Sequence, residues 1–303
     1  MSATSTTDTR RGGTVRHRKR RVEPIYYLFL LPTLVLFTLA ITVPGVVGIF
    51  FSFTDSIGIG EWSFNGLTNY IALFGDPAIL QAYLFTFGFS IATVIVVNVC
   101  AFLLAVGLTS RIRFKTGLRT VFVIPMVISG IIIAYVFNFL FSNSLPAAGS
   151  ALGIPFLQTS LLANPDLAWV AIVIVTAWQA IPGTLLIYIA GILSIPGDVY
   201  EAADLDGASK RQQLLRITLP LVAGYVVINF ILGFKGFLNA YDIIVGLTNG
   251  GPGTATRSVA MAIIAGFNGG DYAYQMANAT IFFIVAVLIS ILQLSLTRGR
   301  NQL

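Results

Sequence analysis

Charge is scarce in this chain. Asp, Glu, Lys and Arg together make up 10% of its 303 residues, against about 25% in a soluble globular domain. Apolar residues make up 56%, and the mean hydropathy is +0.86. A surface built from so little charge does not suit water. Cysteine is nearly missing too. Cys100 stands alone, which excludes an intrachain disulfide and a cysteine-based metal site. Histidine occurs once, as His17 near the N-terminus, and no HExxH zinc motif is present. No GxxxxGK(S/T) loop occurs either, so the chain has no P-loop with which to hydrolyse ATP.

What fills the sequence instead is six long apolar runs, at Leu28–Phe53, Tyr83–Leu108, Leu118–Phe141, Leu167–Leu193, Leu219–Gly246 and Ala277–Leu296. A bilayer core takes about 20 helical residues to cross. Backbone facing lipid must satisfy its own hydrogen bonds, so runs of this length are expected as helices. The expected fold is an all-α, multi-pass membrane protein with six transmembrane helices.

The placement of positive charge orients the spans. If they alternate, sixteen of the eighteen Lys and Arg fall on one side. Seven lie between Arg10 and Arg21, and four more, Arg111, Arg113, Lys115 and Arg119, follow span two. Lys210, Arg211 and Arg216 follow span four, and Arg298 and Arg300 lie at the C-terminus. Only Arg257 lies opposite, and Lys235 is within a span. The positive-inside bias puts both termini in the cytoplasm. Residues 1–24 are expected as a disordered basic cytoplasmic tail, and 25–303 as the transmembrane domain with a cytoplasmic loop at 194–219. A basic tail beside a span is a topology signal that touches lipid headgroups, and no nucleic-acid partner is expected. The first span is longer than a signal-peptide core and is read as part of the mature protein.

The densest polar stretch is that loop, EAADLDGASKRQQLLRITLP from Glu201 to Pro220, with three acidic and three basic residues. Asp198 with Glu201 and Ser209 with Gln212 have capping-box spacing, and Gly207 suits a left-handed helix end. Two short helices at the membrane surface are expected, with Pro220 tolerated early in span five.

This stretch resembles the EAA signature loop of bacterial ABC-importer permeases. FKTGLRTVFVIPMVISGIII, YDIIVGLTNGGPGTATRS and DYAYQMANATIFFIVAVLISILQLSLTRGR are similar to the third, fifth and last spans of sugar-importer members. The Thr248–Pro252 stretch favours the maltose-permease F-type or glycerol-phosphate-permease A-type subunit. The resemblance covers roughly residues 25–300. It implies a type I ABC-importer permease in the bacterial plasma membrane that performs no catalysis itself. ATP and Mg would be bound by a partner ATPase. The implied partners are a second homologous permease, two ATP-binding subunits and an extracytoplasmic substrate-binding protein. Glu201, Ala202, Ala203 and Gly207 would sit in or beside a cleft on the ATPase. Many members carry an aromatic residue before the Ile-x-Leu-Pro end; here Leu214 and Leu215 occupy that stretch.

Polar residues inside spans usually face a cavity or the bundle interior. On one helix Lys235, Asn239 and Asp242, at i, i+4 and i+7, would form a single stripe. Lys235 could equally snorkel outward towards Asp242 or a headgroup. By resemblance Asn239 meets substrate, with Tyr241 a further candidate by adjacency. Span four offers Trp178, Gln179 and Tyr188 near Pro182-Gly183, where a kink is expected. Trp178 and Tyr188 could stack on a sugar or serve as packing. Asn98, Asn138, Thr86 and Thr93 are expected to join helices. The competing function is an ion-gradient-driven secondary carrier of a small polar solute. Such carriers usually couple through buried carboxylates, and no acidic residue lies mid-span.

Overall fold

A computed structural model describes residues 24–110 and 113–298, apart from the side chains of Pro24, Tyr26, Leu294 and 296–298. The basic tail, Arg111 and Arg300 lie outside the described residues. Helix dominates, and the described residues include no strand, only an isolated bridge between Thr54 and Phe64. The chain divides into two compact units, Met1–Val47 and Gly48–Leu303. The described part of the first is α1, Pro24–Phe37, a π turn at Thr38–Thr42 and the first residues of α2, Val43–Phe51.

The second unit holds α3 (Thr68–Gly75), α4 (Pro77–Thr109), α5 (Lys115–Val127), α6 (Gly130–Phe139) and α7 (Leu145–Leu152). Then come α8 (Ala168–Leu193), α9 (Gly197–Leu205), α10 (Lys210–Gln213), α11 (Leu219–Leu221) and α12 (Ala223–Leu238). The chain ends with α13 (Asp242–Thr248), α14 (Val259–Asn268) and α15 (Tyr272–Arg298). Among the described residues five helices are long and apolar enough to cross a membrane, and a bent pair makes a sixth.

The core runs along α4 and α8. In α4 the residues Ala82, Thr86, Ser90, Thr93, Val97, Ala101, Ala105 and Leu108 are all buried. Their steps of three and four place them on one face, and most are small, so a neighbouring helix can approach closely. Asp76 caps α4 by accepting from the amides of Ala78 and Ile79, as its position before Pro77 favours. Tyr188 on α8 donates to Asn98 Oδ1 at 2.6 Å, and Asn138 donates to the Leu247 carbonyl at 2.6 Å. Thr86 Oγ1 accepts from the Val259 amide at 2.9 Å. These three expected joints are present. Thr93 departs from expectation: its hydroxyl is buried and has no partner among the described residues.

Two spans are broken where the sequence suggested continuity. Span three stops at Val127, two residues after Pro125, passes through extended Ile128 and Ser129, and restarts at Gly130. It then continues to Leu152, beyond the expected Phe141, with a π turn at Leu140–Ser144. Span five breaks twice. Lys210–Leu221 and Ala223–Leu238 meet at 63°, and the chain leaves the helix again at residues 239–241. The expected single stripe of Lys235, Asn239 and Asp242 is therefore absent, because no one helix carries all three. Span four, where a kink is expected at Pro182, is one continuous helix, α8, with Pro182 buried inside it.

Gly246 on α13 lies where an added Cβ would come 2.5 Å from Ala134 Cβ on α6. Gly246→Ala should therefore lower stability by about 1–3 kcal/mol through overpacking. Ala134→Gly in the same chain should restore much of the loss. Thermal unfolding of the purified single and double variants checks this.

Candidate functional site

Two places collect the polar residues. The first is the helix pair between spans four and five. α9 starts at Gly197 after extended Pro196, and no side chain caps it. The expected Asp198 cap is a correction: Pro196 sets the helix entry two residues earlier, so Asp198 lies inside the first turn, where its charge still favours the helix dipole. The far end follows expectation. Gly207 has φ +75°, its amide donates to the Asp204 carbonyl, and the Ala208 amide donates to the Ala203 carbonyl at 2.9 Å. That double closure is a Schellman end. Ser209 and Gln212 then form a complete capping box.

The two helices are tied by a buried amide. Gln213, 4% exposed, donates to Asp204 Oδ1 at 2.5 Å and to the Ala208 carbonyl at 3.1 Å. Lys210 donates to Asp204 at 2.8 Å and to Gln213 at 3.1 Å. Tyr200 and Thr218 hydroxyls meet at 2.9 Å. The Lys210 ammonium first, and the Gln213 amide second, hold the Asp204 carboxyl below its ordinary 3.8. A depressed carboxyl stabilises the pair above that ordinary value, and the contribution fades as pH falls through the lowered one.

Of the residues expected to dock, Glu201, Ala202, Gly207 and Leu215 are exposed. Ala203 is buried and serves as the floor of the turn. Leu214 is half-buried against a cavity of about 470 Å³ at the ends of α4 and α8. Leu205, 90% exposed, was missed. Its signal was a lone leucine inside EAADLDG, a polar stretch that offers it no core.

The second place is a cavity of about 490 Å³ where the breaks of spans three and five meet α8. Met126 and Gly130 line it from span three, Thr176 and Gln179 from α8, and Asn239, Tyr241 and Asp242 from span five. Gln179 Nε2 donates to the Ile128 carbonyl at 3.0 Å, which satisfies backbone freed by the break. Asn239 Nδ2 donates to the Lys235 carbonyl at 3.0 Å, which leaves its Oδ1 to accept. Thr176 is 5% exposed, and its hydroxyl has no partner among the described residues. Hydroxyl and amide groups that both donate and accept suit a polyhydroxylated solute. Thr176 departs from the usual threonine in an apolar helix, which bonds back to its own turn.

Three other candidates lie elsewhere. Lys235 lines a separate cavity of about 430 Å³ between α12 and α15, sharing only Asn239 with the first. Trp178 packs on Phe137 with ring centroids 5.4 Å apart. Tyr188 is 1% exposed and its hydroxyl is committed to Asn98, so it is core and does not line the path.

The cavity at the two breaks and the α9–α10 helix pair are thus the two polar features of a multi-pass helical fold. Residues 97–299 match the family described as the binding-protein-dependent transport system inner membrane component, and the chain belongs to that family. It is therefore a multi-pass inner-membrane transport component and not an enzyme. It is 33% identical to a probable starch degradation products transport system permease protein of Thermoanaerobacterium thermosulfurigenes, over 91% of this chain and 94% of that one. It is 34% identical to the multiple sugar-binding transport system permease protein of Streptococcus mutans, over 90% of this chain and 94% of that one. The fold matches a chain of a bacterial ABC transporter that imports the acidic polysaccharide alginate, with a TM-score of 0.81, 22% identity and coverage of 92% and 96%. The gradient-driven carrier is not favoured by these likenesses.

Gln213→Ala should loosen the helix pair by about 1–2 kcal/mol, since it removes a buried amide that closes the turn. Hydrogen exchange should quicken at Ala208 and across α9, while α4 and α8 keep their protection.

Proposed function

We propose that the chain forms half of the translocation path of an ATP-driven sugar importer and receives its driving force through the α9–α10 pair. The observation that carries this reading is a rigid surface helix pair, tied by Gln213 and closed at Gly207, on a chain of this transport family. A force can pass only through an element that both sides touch and that does not yield. Glu201, Ala202, Leu205 and Leu215 form the exposed surface offered to a separate ATPase. In the proposed assembly this chain pairs with a second permease, two ATP-binding subunits and an extracytoplasmic sugar-binding protein. Both termini face the cytoplasm, as the charge bias expects.

The cavity at the two breaks is the proposed solute path. Gln179, Asn239 and Tyr241 would exchange hydrogen bonds with sugar hydroxyls as the solute passes, and Asp242 would accept from them. Its amides and hydroxyls support a sugar as the solute class, as do the starch degradation products and sugars in the names of the two relatives.

Two experiments test the reading. Gly207→Asp should abolish uptake while the protein still accumulates in the membrane. No atom lies within 4 Å of an added Cβ, so the cost to folding is the left-handed backbone alone, on the order of 1 kcal/mol. Normal uptake with normal ATPase co-purification would refute docking at this turn.

Tyr241→Phe and Asn239→Ala should each lower transport several-fold, since a neutral hydrogen bond contributes about 0.5–1.5 kcal/mol. ATPase activity should persist in both. Unchanged transport in the two variants would move the path away from this cavity.

A further inference from the structure

The stretch between the first two spans packs at the start of α4, whose other end meets the α9–α10 pair, and it is built rigidly. Asp55 accepts from the Ser63 amide at 2.6 Å and the Ser63 hydroxyl at 2.5 Å, which closes a hairpin neck. Asn69 Nδ2 clamps the carbonyls of Ser52 and Thr54 at 2.9 and 2.8 Å. The Ser56 carbonyl accepts from the Ala273 amide at 3.0 Å, which ties the hairpin to the start of α15. One side of α3 is core, where Leu73 and Tyr70 pack with Ile79 and Ala277.

The other side of this rigid segment is apolar and bare. Leu67, Ile71 and Phe74, at i, i+4 and i+7, are 60%, 72% and 67% exposed. The hairpin adds Ile57 and Ile59, at 63% and 82%. Trp62, 46% exposed, sets the level. Its ring lies edge-on to Phe50 and Phe51, 5.5 and 5.6 Å away, in the last turn of a membrane-spanning helix. The bare face continues onto α4, where Leu80 and Leu84 are 48% and 78% exposed. Tryptophan at the end of a span marks the headgroup level, and an amphipathic helix there buries its apolar face in the lipid boundary.

We propose that residues 55–75 form an interfacial collar, with the Leu67–Ile71–Phe74 stripe and the Trp62 hairpin inserted into the lipid leaflet at the start of α4. No Lys or Arg occurs between residues 24 and 110, so the collar takes neutral headgroups and has no preference for anionic lipid. Its role is to fix the depth of spans one and two against the bilayer.

The test uses the full-length chain with its co-purifying subunits in phosphatidylcholine bilayers. Cys100 is the sole cysteine, so Ile71→Cys and Phe74→Cys in a Cys100→Ser background each take one nitroxide label. Oxygen should relax both labels more than a water-soluble nickel chelate does, at a depth of about 5–10 Å. A second readout leaves the stripe intact. With Trp169 and Trp178 replaced by Phe and the chain reconstituted without other subunits, Trp62 is the only tryptophan. Its emission should be quenched more by lipid brominated near the headgroup than by lipid brominated near the chain end. Replacing part of the phosphatidylcholine with phosphatidylglycerol should change neither reading. Labels reached mainly by the nickel chelate would place the stripe in water and overturn the proposal. Labels closed to both reagents would assign the face to a protein partner, and an unquenched Trp62 would take the hairpin out of the leaflet; either overturns it equally. Stronger insertion with phosphatidylglycerol would overturn the neutral-headgroup assignment.

Discussion

A backbone that leaves the helix inside a membrane must find new partners within the protein, because lipid offers none. This structure leaves the helix at Ile128–Ser129 and at residues 239–241, and each break is answered by a side chain from elsewhere. Gln179 donates to the Ile128 carbonyl, and Ser258 donates to the Ala240 carbonyl at 3.3 Å. Those bonds let irregular chain persist at that depth. Irregular chain, in turn, opens a polar cavity that an unbroken bundle would have packed shut. The close approach of α13 and α6 at Gly246 and Ala134 holds the far sides of the two breaks together.

The same logic, moved to the membrane surface, explains the helix pair. α9 and α10 are each too short to be stable alone, since a helix under about 12 residues is marginal in water. They persist because their ends are satisfied twice over. A Schellman closure ends the first, a capping box starts the second, and the Gln213 amide bonds across the turn between them. The exposed side chains are consequently presented on a frame that does not flex independently. Under the proposed docking, that frame is what converts motor closure into span movement. The π turn at Leu214–Thr218 and the 63° bend after Leu221 lie between frame and cavity. Movement of α9 and α10 thus has a direct covalent path to the break at Asn239.

The sequence by itself determined the material and the local chemistry. Low charge and six apolar runs dictated a helical membrane protein, because hydrocarbon tolerates little else. Gly207, Ser209 and Gln212 announced a turn and a cap, since those features depend on residues within a few positions of one another. The signature loop marked the family. Local rules went astray where the chain could satisfy them in more than one way. Asp198 has cap spacing, but Pro196 begins the helix first. Pro182 and Pro125 both lie within apolar runs, yet α8 stays helical through Pro182 and the chain leaves the helix after Pro125.

Only the tertiary structure decided which residues share a space. Asn239 and Gln179 lie 60 positions apart in the sequence, and no periodicity links them; they line one cavity because two breaks happen to face α8. Lys235, four residues from Asn239, was assigned to the same stripe and turned instead towards α15. The hydroxyls of Tyr188 and Thr176 show the difference most directly. Each is a polar group on one apolar helix, and sequence pattern treats them alike. Tyr188 meets Asn98 and becomes core, whereas the Thr176 hydroxyl is buried beside the cavity and meets no partner among the described residues. A hydrogen bond depends on where the second group is, and that position is set by packing across helices rather than by order along the chain.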